Sequence, residues 1–162
     1  MLRAVCAVVV GGALAAGAAA FASPQGDDPG VDSASAAVAP SRAGARPVTL
    51  TVSIRGELRC GRLSGRTVSL ALPAQLRLPS TVAASSVTVG GKPASAVHVV
   101  RRTLAIELPV PTGVMCDSIA PGTVKVVVDR TANLGNPTKP GRYPLTVLYR
   151  NERLPASLRI VR

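Results

Sequence analysis

Residues 47–55 read Pro47-Val48-Thr49-Leu50-Thr51-Val52-Ser53-Ile54-Arg55. Apolar residues at 48, 50, 52 and 54 alternate with hydroxyl and charged ones. Successive side chains of an extended chain point to opposite faces, so this period of two predicts a strand with one buried face. The same period returns at Val68, Leu70 and Leu72 before Pro73, and at Leu104, Ile106 and Leu108 before Pro109. It returns again at Val124, Val126 and Val128, at Tyr143, Leu145, Val147 and Tyr149, and at Leu158 and Ile160. Val87 and Val89 run into Gly90-Gly91, with Ala94 to Val100 following, which predicts a hairpin on a tight glycine turn. No window of this region carries an apolar stripe at helical spacing.

Short strands of this kind, separated by Gly and Pro turns, predict an all-β fold over 47–162. The expected form is an antiparallel Ig-like β-sandwich of about seven or eight strands, with a small closed barrel as its competitor. The immunoglobulin core Trp is absent, so the likeness is one of architecture. Upstream, residues 23–46 are mostly Ser, Ala, Gly, Pro and Asp. Such a segment has too little apolar surface to offset the entropy of ordering it, and is expected to be a disordered linker.

Residues 1–22 read as a signal peptide. Arg3 is followed by an uncharged run from Ala4 to Phe21, and Ala20-Phe21-Ala22 fits a small-x-small cleavage site, so the mature chain is expected to start at Ser23. The competing reading is a retained membrane anchor, since about 18 apolar residues can just span a bilayer. Eight Ala and three Gly in that run make it weakly hydrophobic. Export predicts a secreted or envelope-associated location. Cleavage would remove Cys6 and leave Cys60 and Cys116, which are then expected to form a disulfide worth about 4 kcal/mol.

The 162 residues hold 19 Lys and Arg against 8 Asp and Glu, a net charge of +11. From Pro47 onward 16 basic residues face 5 acidic ones. Arg55, Arg59, Arg62 and Arg66 surround Cys60, Arg101 and Arg102 form a turn, and Arg142, Arg150, Arg153, Arg159 and Arg162 crowd the C-terminal third. Guanidinium forks suit phosphate and carboxylate, so the expected partner is an anionic cell-envelope polymer or another envelope protein, with Arg101 and Arg102 as candidate anion-binding residues. The competing reading is that Arg over Lys, 16 to 3, reflects composition and solubility. With no Trp, one Phe and two Tyr, the chain lacks a stacking platform for bases, and no nucleic-acid partner is expected.

No chemistry of catalysis is legible. His98 has no second His and no Gly-x-Ser-x-Gly elbow to work with, and Glu107, Asp117 and Asp129 fall near different strand ends. Gly90-Gly91-Lys92 lacks the flanks of a phosphate loop. Leu78-Pro79-Ser80-Thr81-Val82 approaches a wall-sorting signal but has Val where Gly is required. No catalytic, cofactor-binding or metal residues are therefore predicted, and the chain is expected not to be an enzyme.

The order Leu78-Pro79, Val87-Thr88-Val89-Gly90-Gly91-Lys92-Pro93-Ala94, Leu104 to Pro109, Val124 to Val128, and Asn136-Pro137-Thr138-Lys139-Pro140-Gly141-Arg142-Tyr143 resembles a β-domain of exported and surface-layer-associated bacterial proteins. The resemblance spans roughly 47–162, rests most on the Asn-Pro-x-x-x-Gly-x-Tyr element, and implies location and fold without catalytic residues. Physically that element is a structural turn. Pro137 holds Asn136 extended while its side chain bonds nearby backbone, Pro140-Gly141 reverses the chain, and Tyr143 opens a strand with a ring to bury. Asn136 is no glycan acceptor, because Pro137 occupies the forbidden middle position. The function expected is an exported, non-enzymatic module with a structural or interaction role at the cell envelope. The alternative is a binding protein that takes an anionic polymer or small ligand on an Arg-rich face.

Overall fold

The computed structural model describes residues 31–58, 67–109 and 119–162. The expected signal peptide of residues 1–22, residues 23–30 and both Cys60 and Cys116 lie outside the described residues.

Among the described residues ten strands form two antiparallel sheets. The first contains β1 (Val31–Ala39), β2 (Thr49–Leu58), β8 (Ile119–Val128), β4 (Val87–Val89) and β5 (Lys92–Pro93), in that order. The second contains β10 (Glu152–Ile160), β9 (Gly141–Tyr149), β3 (Thr67–Ala71), β7 (Thr103–Glu107) and β6 (Ala96–Val100). Each sheet keeps its own ladder, so the fold is a sandwich and not a closed barrel.

The alternation that predicts the strands also fixes which face each of them buries. Leu50, Val52 and Ile54 stand opposite Val128, Val126 and Val124, while Val68 and Leu70 stand between Tyr149 and Val147 on one side and Ile106 and Leu104 on the other. All of these side chains are buried, and a one-residue slip would turn every one of them to solvent. The two apolar faces meet in a single core that also takes in Leu72, Leu76, Leu108, Leu134, Leu158 and Ile160.

Three expectations are corrected. The segment 23–46, expected to be a linker, is ordered from Val31 on, because residues 31–39 form β1, paired with β2 from Val31↔Gly56 to Ala39↔Thr49. Its inward positions include Ala34, Ala36 and Val38, and an open groove between β1 and β10 is lined by Ala34, Ser35, Ala36, Pro155, Ala156 and Ser157. Small side chains let the edge strands of the two sheets approach each other there, and small side chains are what made the segment read as a linker.

The hairpin after Gly90-Gly91 returns for only two residues, Lys92 and Pro93. Ala94 then donates to the Val87 carbonyl and Ser95 to the Glu107 carbonyl, so Ala94 to Val100 is not one strand. The chain crosses between the sheets at these two residues and continues as β6. With β1 counted, this split raises the strands from the expected seven or eight to ten among the described residues.

The tyrosine that fills the core is Tyr149, which is 1% exposed and carries the Arg150 guanidinium 5.6 Å from its ring centroid. Tyr143 faces the same side of β9 but sits at the strand's start, half-buried against the core.

Candidate functional site

Asn136 organises one end of the sandwich. It is 5% exposed, and its carboxamide nitrogen donates to the Pro40 and Arg42 carbonyls at 2.8 Å each. Its backbone N–H donates to the Ala45 carbonyl at 2.9 Å. The partners are therefore not neighbouring residues, as the sequence suggested, but the segment 40–45, which one side chain straps to the sandwich. Arg77 and Gly135 bond each other's backbone beside it, and Arg46 Nε donates to Asn133 Oδ1 at 2.8 Å. Gly135 suits this close crossing, since a Cβ there would stand 3.2 Å from the Arg77 Cβ and would push that neighbour back by a few tenths of an ångström. The strap continues to the C-terminal strand: Ala43 donates to the Val161 carbonyl, and Val161 donates to that of Ser41.

Pro137 is buried in this turn and its carbonyl accepts from Gly44. Gly141 has φ +155, a conformation that L side chains rarely adopt. The Tyr143 hydroxyl donates to the Lys139 carbonyl at 2.7 Å, closing the loop onto itself. Gln75, Pro137, Thr138, Lys139 and Tyr143 line an open depression of 490 Å³ at this end.

The two candidate anion-binding residues have different fates. Arg102 is half-buried, and its guanidinium donates to the carbonyls of Pro73 and Leu76, which ties the turn between β6 and β7 to the loop after β3. Its Nη2 group thus serves the fold as a clip between the turn and the loop. Arg101 is exposed at φ 56 in the same two-residue turn. His98 lies on the outer face of β6, 3.8 Å from a Glu107 carboxylate oxygen, with both side chains well exposed. Asp129 is at the other end of the sandwich, where its carboxylate accepts from the Thr131 N–H. Among the described residues no group of three or more His, Cys, Asp or Glu side chains is placed to hold a metal ion.

A separation of charge becomes visible once the registers are known. The end that holds the 40–46 strap carries exposed Arg42, Arg130, Lys139, Arg142, Arg159 and Arg162, with Asp129 as the acid among the described residues there. The described acids Asp32, Glu57, Glu107 and Glu152 stand on strand positions toward the opposite end, where a Glu152 carboxylate oxygen accepts from the Val31 N–H at 2.9 Å. Within the basic end, Arg142 on β9 and Arg159 on β10 stand directly opposite each other, both on the outer face. Their positions in the sequence showed a basic C-terminal third, and only the strand register shows that two of them form a pair.

The described residues thus define an all-β, two-sheet sandwich with one strongly basic end. No protein-family model matches the chain, and no curated protein does. Among solved structures it is similar to that titled "Crystal structure of BslA - A bacterial hydrophobin", at 16% identity and a TM-score of 0.48, covering 80% of this chain and 98% of that one. It is also similar to the Corynebacterium diphtheriae major pilin SpaA, at 17% identity and a TM-score of 0.39. That alignment covers 76% of this chain and spans 33% of the pilin.

Proposed function

We propose that the chain is an exported, non-enzymatic β-sandwich module with a structural or interaction role at the cell envelope. The observation that carries this reading is the interior. Among the described residues the core is apolar, and its two buried polar residues, Ser86 and Asn136, spend their side-chain donors on backbone carbonyls. Among the described residues these buried donors therefore serve the fold.

The Arg3-led apolar run ending at Ala20-Phe21-Ala22 supports export, and a disulfide between Cys60 and Cys116 belongs to the same reading. Leu58 at the end of β2 stands opposite Ile119 at the start of β8, so the segments that hold the two cysteines leave from neighbouring points. Closing that loop stabilises a small exported domain by about 4 kcal/mol.

Intact-mass measurement of the protein expressed with its leader tests both parts. The expected product is recovered outside the cytoplasm, starts at Ser23, and is lighter than its reduced form by two hydrogen atoms. Recovery of the whole chain in the cytoplasm overturns the export reading, and an exported chain with two free thiols overturns the bridge.

A further inference from the structure

We propose that Arg142 and Arg159 form a two-pronged seat for a phosphate group of a linear polyanion that runs along the outer face of β10. This rests on the envelope reading above and names the partner chemistry and the residues that meet it.

The first observation is the pairing. Arg142 and Arg159 are cross-strand partners between Tyr143↔Leu158 and Gly141↔Ile160, so both point away from the core. Directly opposed residues have Cβ atoms about 5 Å apart, and like charges at that spacing destabilise a sheet. Neither guanidinium makes an ion pair with a described carboxylate. One phosphate between them reverses the sign of the interaction, because each fork can present two N–H donors to its oxygens.

The second observation is the setting. Lys139 lies in the loop leading into β9, Arg162 follows β10 directly, and the Arg42↔Val161 bridge brings Arg42 alongside. Around this cluster the field is positive, since the described acids other than Asp129 are at the far end. The backbone that carries the pair is firmly held. The ladder of β9 with β10 is unbroken from Tyr149↔Glu152 to Gly141↔Ile160, and the strap bonds Val161 on both its N–H and its carbonyl.

The third observation selects a linear ligand. The outward row of β10 reads Arg159, Ser157, Pro155, Arg153, with cations at its two ends and neutral residues between. Six residues of strand span about 20 Å. A polymer with repeating phosphates can reach both ends of that row, whereas an isolated phosphate group reaches one. Arg153 stands opposite Leu148 and not opposite a second cation, so it is a trailing contact, and the Arg142 and Arg159 pair is the primary seat.

The test uses the folded chain from Ser23, with long-chain polyphosphate as the probe and fluorescence anisotropy as the readout, at low and at physiological salt. Replacing both Arg142 and Arg159 with Ser is expected to weaken binding by about tenfold or more and to lower the salt slope by about two. The control replaces Arg55 and Lys125 with Ser. It removes the same charge from the outer face of the first sheet and is expected to change affinity by less than about twofold. The Arg142 and Arg159 double variant is also expected to melt no lower than the parent, since it removes a like-charged pair, and polyphosphate is expected to raise the melting temperature of the parent and the control but much less that of this variant.

Equal losses in the two double variants overturn the seat in favour of net charge, and so does a parent that ignores polyphosphate at low salt. Vesicles rich in phosphatidylglycerol form the second arm. Binding to vesicles but not to polyphosphate overturns the polymer assignment. These outcomes are independent of where the protein is recovered, so failure of the seat and failure of export are read separately.

Discussion

Where β5 hands the chain to β6, the two sheets are joined by two consecutive residues, Ala94 and Ser95. Where β1 lies over β10, they are joined by groups far apart in sequence, with the Asn136 carboxamide reaching Pro40 across 96 residues. The first edge is closed by the covalent chain, and the backbone bonds from Ala94 to Val87 and from Ser95 to Glu107 only set its angle. The second is closed by noncovalent contacts alone: the strap, the Val161 backbone bonds and the Glu152 contact to Val31. A covalent crossing cannot open when one side chain is lost. A strap can, so sensitivity to substitution is expected to concentrate on the edge that the sequence made look like a linker.

The strongest way to break this comparison is to start the chain at Pro47. That removes β1 and the strap, uncovers the flanks of Val52 and Ile54, which stand beside Ala36 and Ala34, and leaves the backbone of β2 without one of its two neighbours. The expected outcome is loss of cooperative thermal unfolding, against a sharp transition for the chain from Ser23. Equal melting temperatures would show that β1 is an accessory.

A smaller effect is expected for Asn136→Ala. Two carbonyls lose their donor in a buried setting, while the variant also removes Asn136 Oδ1, itself buried without a partner. The net cost is expected to be about 2 kcal/mol, lowering the melting temperature by roughly 8 °C. No change in melting temperature would mean that the strap holds without its side-chain bolt.

The smallest effect is expected at the covalent edge. Ser95→Ala removes the bond from Ser95 Oγ to the Leu108 carbonyl, 2.9 Å long, at an exposed residue that water can replace. Chemical denaturation should show a loss of about 0.5 kcal/mol. A cost matching that of Asn136→Ala would erase the distinction between the edges.

The same contrast explains what was legible in the sequence. β2, β7, β8 and β9 announce themselves because large branched residues alternate with polar ones, and a wide sandwich core demands that bulk. β1 alternates too, but its inward positions Ala34 and Ala36 are small and only partly buried beside β10. Bulk therefore fails as a signal at this edge. Asn136 was recognisable as a turn residue because Pro137 and Gly141 constrain the backbone locally. Its partners were not, because nothing in a local pattern points to residues 40–45. Arg102 shows the same limit. A guanidinium advertises anion binding, yet this one is drawn onto two carbonyls by a loop whose position only the fold determines. The Arg142 and Arg159 pair emerges from register, which sequence periodicity constrains to a face but not to a partner.

The strap also has a consequence in time. Four hairpins among the described residues, β1 with β2, β4 with β5, β6 with β7 and β9 with β10, are local and can form within microseconds. The sheets exist only when β2 finds β8 and β3 finds β9, which are distant pairings of the kind that slow β-sandwiches to milliseconds or seconds. Ser41 and Ala43 then wait for Val161, near the end of the sequence. A chain still being synthesised can hold β1 against β2, yet it cannot lock the segment that follows them. The N-terminal edge is thus the earliest part of the domain to be made and the last to be secured.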